Sequence, residues 1–466
     1  MRVRPAPIVR TLVLLAPLLL ASALVRAQSA GGDSAAAPGD STVAALAPAD
    51  SAARADSTAR ADSLAHARAI PPRDYLAEAR ASYDRVSRAY NGARVVLRLF
   101  GPFYGILCGL LLLFTGVSAR YRDIAENLGH RRYVRVLVYF ALYSTTLFVL
   151  GLPLAWYEEF ALEHQFGLST QTFMGWLGDS LKGQAMTIVA VGVIPLLALA
   201  WRVIEGQPKR WWIWLAVGTL PVALAAVLVE PIVFDPLFNK FTPLEDAHLR
   251  HDILALAERA GIPARHVFQV DMSTRTRKLN AYVNGFGASQ RVVIWDTTLQ
   301  RMRHDEILYV TGHEIGHYVL RHIWQTLGAL GIAAFALFWL CDLLVRAWLR
   351  AFGRQWGVRA PSDLAAMPIF AISLTLATML ATPAMNAFSR REEHEADLYG
   401  LELTHANDAA ARAFLKLAQD NRSDPEPSAW VRLLLYDHPP LADRIRLALT
   451  YKPWERGEPN RFYRPR

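Results

Sequence analysis

Cysteine is nearly absent: the 466 residues hold two, Cys108 and Cys341, and both lie inside apolar stretches. A disulfide framework is therefore excluded, and so is a cysteine-built zinc site. Any metal must be held by histidines and carboxylates. Charge is scarce as well, at 20% of residues. It is missing altogether from six runs: Leu99 to Ala119, Val136 to Tyr157, Gly183 to Trp201, Trp211 to Val229, His322 to Cys341 and Leu364 to Ser389. A helix needs about 20 apolar residues to cross about 30 Å of hydrocarbon. One such run fits a buried core helix; six in one chain argue for membrane spans.

Residues 28–70 have almost no large apolar side chains instead. Ala-Asp-Ser recurs there at 49–51, 55–57 and 61–63. Such a segment cannot bury enough apolar surface to offset the entropy of ordering, so it reads as a disordered tether without chemistry. Ahead of it come Arg2, Arg4 and Arg10, an apolar run from Thr11 to Val25, and then Ala27. That order predicts a secretory signal over residues 1–27, with an uncleaved anchor helix as the alternative. The formal charge of +9 raises the question of nucleic acid. However, the excess arginine flanks the apolar runs, where it orients a membrane protein, and no basic patch is interleaved with aromatics. The expected partners are the lipid bilayer and a peptide or protein substrate, with no nucleic acid.

Loop charges assign sides. The segment from Arg120 to Arg135 holds five arginines against Asp123 and Glu126, and Arg202 to Arg210 has three basic residues against Glu205. Asp342 to Asp363 carries Arg346, Arg350, Arg354 and Arg359, whereas Glu158 to Lys182 has four carboxylates and one lysine. By the positive-inside rule the three basic loops are cytoplasmic. The polar stretches at 230–321 and 390–466 then both fall outside, in a multi-pass protein of a bacterial-type inner membrane. Within the first stretch, Leu244 to Ala260 has helical periodicity ending at Gly261-Ile262-Pro263. Val267 to Met272 and Arg291 to Trp295 read as strands, and Asp305 to Arg321 reads as a helix.

That last helix carries His313-Glu314-Ile315-Gly316-His317. Histidines four apart project from one helical face a turn apart, as two ligands of one tetrahedral zinc must. Glu314 is rotated about 100° away and can reach a water activated by the metal without ligating it, acting as general base. A chance match on an amphipathic helix is the competing reading, and a third ligand would decide against it. Asp342 and Asp363 fall on the wrong side. The cluster Glu392-Glu393-His394-Glu395-Ala396-Asp397 follows the sixth run, so the chain has returned to the side of His313. Topology selects this cluster but not its member: Glu393 and Asp397 share a face, while Glu392, His394 and Glu395 remain alternatives on spacing.

Together with Asp235 to Leu244, Asn280-Ala281-Tyr282, Val293 to Thr297, Asn386 to Asp397, His438-Pro439-Pro440-Leu441 and Arg444, these motifs resemble the type 1 CAAX prenyl protease family of membrane zinc metallopeptidases, from about Leu99 to Leu447. The resemblance implies Glu393 as third ligand and Asp397 as the carboxylate that orients a ligating histidine. It implies one zinc ion per chain, and a substrate strand beside Asn280, Ala281 and Tyr282. His438 and Arg444 would sit near the metal; from the residues alone, His438 reads as an ordinary loop histidine.

The implied fold is mainly α: a multi-pass helical barrel enclosing a chamber, capped by an α+β zincin-like domain. The expected parts are a membrane domain at 71–229, a catalytic block at 230–321, two further spans at 322–389 and a second catalytic block at 390–466. The implied function is zinc-dependent endopeptidase action in CAAX-type or general membrane and envelope protein processing. A transporter and a non-catalytic scaffold are the rivals. A transporter usually carries ionisable groups within its spans, and the apolar runs here lack charges; the presence of Glu314 argues against the scaffold.

Overall fold

The computed structural model describes residues 73–189, 193–229, 233, 235–262, 266–284 and 291–464. The signal or anchor expected at 1–27 and the tether at 28–70 lie outside them. After a short helix α1 (Tyr75–Ser82) come α2 (Arg85–Phe114), α3 (Val117–Leu128) and α4 (Arg132–Ala155), which runs on through a π-helical turn to Gln165. Then follow α5 (Phe173–Val189), α6 (Val193–Gly206) and α7 (Trp211–Val229). Asp84 starts α2 by accepting a hydrogen bond from the Ser87 amide at 2.7 Å, which satisfies one of the helix's orphan donors.

Five helical stretches among the described residues are long and apolar enough to cross a bilayer: Arg85–Phe114, Arg132–Gln165, Trp211–Val229, His322–Phe352 and Leu364–Thr404. Outward-facing Phe103, Leu107, Ile332 and Leu380 are each more than half exposed, which suits contact with lipid. Inward, Leu113, Tyr139, Phe140, Trp211, Phe338 and Phe370 form one buried cluster. The run at 183–201 is divided between α5 and α6. The pair leads from Asp179, 3.3 Å from Arg275 of the polar domain, to Glu205, which pairs with Arg132 at the opposite end.

The three basic loops meet at that opposite end. Arg122 reaches Asp363 at 2.8 Å, Arg359 reaches Glu126 at 3.0 Å, and Arg346 donates to the Pro208 carbonyl at 2.7 Å. The acidic stretch does the reverse, because Thr170 and Ser169 bond the Arg275 carbonyl at 3.1 Å each.

The polar domain contains β1 (Phe241–Pro243), α8 (Ala247–Arg259), β2 (His266–Val270), β3 (Ala281–Asn284), β4 (Arg291–Trp295), α9 (Asp296–Arg301) and α10 (His304–Val319). The sheet order is β1-β2-β4-β3. β2 and β4 are parallel, while β1 and β3 are antiparallel to their neighbours. The long α11 (His322–Phe352) and α12 (Met367–Thr404) follow, then α13 (Asn407–Asp420), α14 (Ala429–Leu435) and α15 (Leu441–Thr450).

A single core joins Leu249, Ile253, Val292, Ile294 and Ile307 to Leu401, Phe414 and Ile445. The two soluble stretches are therefore two halves of one domain, and burial of each such side chain contributes about 1.5–3 kcal/mol. Two helix junctions position the site. Between α10 and α11 the chain breaks at Arg321, whose φ of 60° is left-handed. Between the sixth apolar run and the acidic cluster there is no break: α12 continues through both for 38 residues, about 57 Å of helix at 1.5 Å per residue.

Candidate metal centre

α10 and α12 cross closely because both are small where they touch. A Cβ on Gly316 would lie 3.1 Å from the Tyr399 Cβ, and one on Gly400 would lie 3.0 Å from the His313 amide nitrogen. This approach sets the histidines of α10 against the carboxylates of α12. The Nε2 atoms of His313 and His317 come within 3.1 Å of each other. Glu393 Oε2 lies 3.3 Å from the first and Glu393 Oε1 3.4 Å from the second. All three residues are buried. Among the described residues neither Glu393 oxygen has a well-directed hydrogen bond, a costly state for a buried charge. Two imidazole lone pairs and an unsatisfied carboxylate aimed at one point are what a divalent cation reconciles, so the residues fit a metal.

Around these three stands a ring of buried partners. His313 Nδ1 lies 2.9 Å from Asp397 Oδ1. Asp397 in turn receives both prongs of Arg444 at 2.8 and 2.6 Å and the Tyr309 hydroxyl at 3.3 Å. Arg444 also lies over the Phe414 ring, 4.4 Å from its centroid. His438 approaches Glu393 Oε2 at 3.2 Å through Nε2, and its Nδ1 is 2.8 Å from Asp437. Burial alone would lower the His438 pKa; the Glu393 and Asp437 carboxylates outweigh it and raise it.

Glu314 faces a cavity of about 50 Å³ lined by His313, His438, Arg444, Asn280 and Ala281. Burial pushes its carboxyl up to about 7, against the pull of His313 and of a hydrogen bond from the Val283 amide. β3, which supplies that amide, is the last strand of the sheet, so among the described residues its outer edge has no neighbouring strand.

Asn280 and Ala281 thus face the cavity. Tyr282, the next residue, packs its ring on the other face of the sheet with Val270, Met272, Val293 and Trp295, as strand alternation demands. Of the open alternatives for a third ligand, Glu392 points away to the Thr326 hydroxyl at 2.9 Å and Glu395 lies toward His322.

Tyr309 and His322 were not singled out from sequence. His322 Nδ1 lies 3.0 Å from His317 Nδ1, which gives the second ring of the pair the kind of partner that Asp397 gives the first. The helix break at Arg321 hides this, because five-residue spacing is not a helical pairing.

Two family descriptions match the chain: peptidase family M48 over residues 243–452, and the CAAX prenyl protease N-terminal region with five membrane helices over residues 62–240. The chain belongs to peptidase family M48. Within that family it is 32% identical over 363 residues to the metalloprotease YhfN of Bacillus subtilis, covering 78% of this chain and 84% of the relative. It is 30% identical to CAAX prenyl protease 1 of Saccharomyces cerevisiae, covering 78% and 85%. The crystal structure of S. mikatae Ste24p superposes with a TM-score of 0.69 at 28% identity, over 80% of this chain and 89% of that one. This M48 protein is therefore a multi-pass membrane metalloendopeptidase, with a helical membrane chamber capped by an α+β peptidase domain.

Proposed function

We propose that one zinc ion per chain is held by His313, His317 and Glu393, and that Glu314 is the general base of peptide hydrolysis. The observation that carries this is the convergence of the two Nε2 atoms and the Glu393 carboxylate on the cavity that Glu314 also faces. Zinc bound there would supply Lewis acidity, lowering the pKa of water and polarising the scissile carbonyl. Glu314 takes the proton of the attacking water and returns it to the departing amine. His438, its charged form favoured by Glu393 and Asp437, donates to the oxygen on which negative charge develops. Asp397 holds His313 in the ligating tautomer, and Arg444 and Tyr309 hold Asp397. The substrate lies extended along the open edge of β3 at Asn280 to Val283, bound by main-chain hydrogen bonds.

The domain is placed outside the cytoplasm, with residues 71–229 and 322–389 as the membrane part, for two reasons. The basic loops cluster at the far end from it, and basic loops favour the cytoplasm. The substrates are then membrane or envelope proteins presented on the outer side. The name of the yeast relative favours a second substrate class, prenylated C-terminal tails.

Zinc analysis with peptide cleavage tests the mechanism. Wild type should carry one zinc per chain and cleave, and Glu314→Gln should keep the zinc and lose cleavage. Cleavage retained in Glu314→Gln would overturn the assignment. Paired peptides with and without a prenyl group then separate the two substrate classes.

A further inference from the structure

Histidine and carboxylate meet in a ligand-like array at a second place. His248 and Asp252 lie four apart on α8, so they leave one face a turn apart, and His304 opens α10 beside them. The His304 Nε2 is 2.8 Å from Asp252 Oδ2, and the His248 Nδ1 is 3.6 Å from the same oxygen. The two rings stand 4.8 Å apart centre to centre, the same separation as between His313 and His317. One ligand atom from each of the three residues fits within 4.8 Å of the others. His251 Nδ1, 3.1 Å from Asp252 Oδ1, steadies the remaining oxygen.

Hydrogen bonding alone does not account for the set. At 3.6 Å, His248 is too far from Asp252 to bond it, yet its nitrogen faces the oxygen that His304 already uses. Solvent reaches the group, since the His248 side chain is 79% exposed. A groove of about 350 Å³ lined by Glu245, Gln269, Met302 and His304 adjoins it. Met302 lines both this groove and the cavity of Glu314.

We propose that His248, Asp252 and His304 form a second metal site for a zinc-like divalent cation, with water completing the shell. Two imidazoles and one carboxylate suit zinc and its neighbours, not magnesium or calcium. The positive end of α10 opposes a cation there, and the Asp252 carboxylate supplies the compensating charge. The ion ties α8 to the first residue of the helix that carries His313 and His317 further along.

The test is a zinc titration by calorimetry on full-length protein in detergent, already loaded with one equivalent. Wild type should take up a second equivalent. His248→Asn and His304→Asn should weaken that event by roughly tenfold or more, since even the partners of ligands are worth that much, while leaving the first equivalent and peptide cleavage intact. No second equivalent in wild type, or one unchanged in both variants, overturns the proposal. In Glu393→Gln the surface equivalent should persist whatever becomes of the buried one, which separates the two assignments.

Discussion

Arg444 and Asp397 show how much of the centre rests on one buried pair. The Arg444 side chain is 7% exposed and that of Asp397 1%, so removing either partner strands a charge away from water. Breaking such a pair costs about 3–5 kcal/mol. Arg444→Met should therefore lower the melting temperature and the zinc content together, measured by thermal unfolding and metal analysis of the detergent-purified protein. Arg444→Lys should recover only part, because an ammonium cannot reproduce the two-pronged contact.

At this scale the sequence was readable where chemistry is packed into one helical turn. His313, Glu314 and His317 declare themselves by spacing. Glu393 does not, since 76 residues and two crossings separate it from His317, and only family resemblance distinguished it from Glu392 and Glu395. His438 was opaque for the same reason: nothing in a loop before two prolines shows that its ring will face a carboxylate from another helix.

Between elements, the decisive contact is the crossing of α10 and α12. Gly400 lies against the backbone of His313, so Gly400→Val must force the two helices apart. Overpacking of this kind costs about 1–3 kcal/mol, but its sharper effect is geometric. The variant should keep every ligand and still lose zinc affinity, measured in zinc-buffered solutions. A variant that bound zinc normally would show that the close approach is not what sets the site.

Five of the six apolar runs were legible from their lack of charge, whereas the run at 183–201 is shared between α5 and α6; the helix ending near Arg259 was legible from periodicity, and strands β2 and β4 from their β-branched and aromatic residues. β1 was not, because its three residues are too few to show alternation. The continuity of α12 was hidden as well. The change from apolar to charged composition at Arg390 looks like a boundary, although the backbone passes through it without interruption.

For the whole molecule, sidedness is the property most open to measurement. Cys108 and Cys341 are both buried, so introduced cysteines report without background. Arg456→Cys, on the peptidase domain, should react with a membrane-impermeant maleimide on intact cells. Arg131→Cys, in a basic loop, should react only after the cells are broken. The opposite pattern would reverse the orientation and turn the domain toward the cytoplasm.

The clustering of those basic loops was foreseeable from charge alternation. The merger of residues 230–321 and 390–466 into one core was not, because the partners of Ile307, Phe414 and Ile445 are set by tertiary packing.

The course of α12 has one more consequence. Ahead of the last two crossings the chain carries the paired imidazoles and Glu314, but no third ligand of the proposed centre. Glu393, the acid proposed to complete the grip, arrives on the upper part of a rod whose lower part is the sixth apolar run. Any tilt of that rod within the bilayer would be passed directly to the acid.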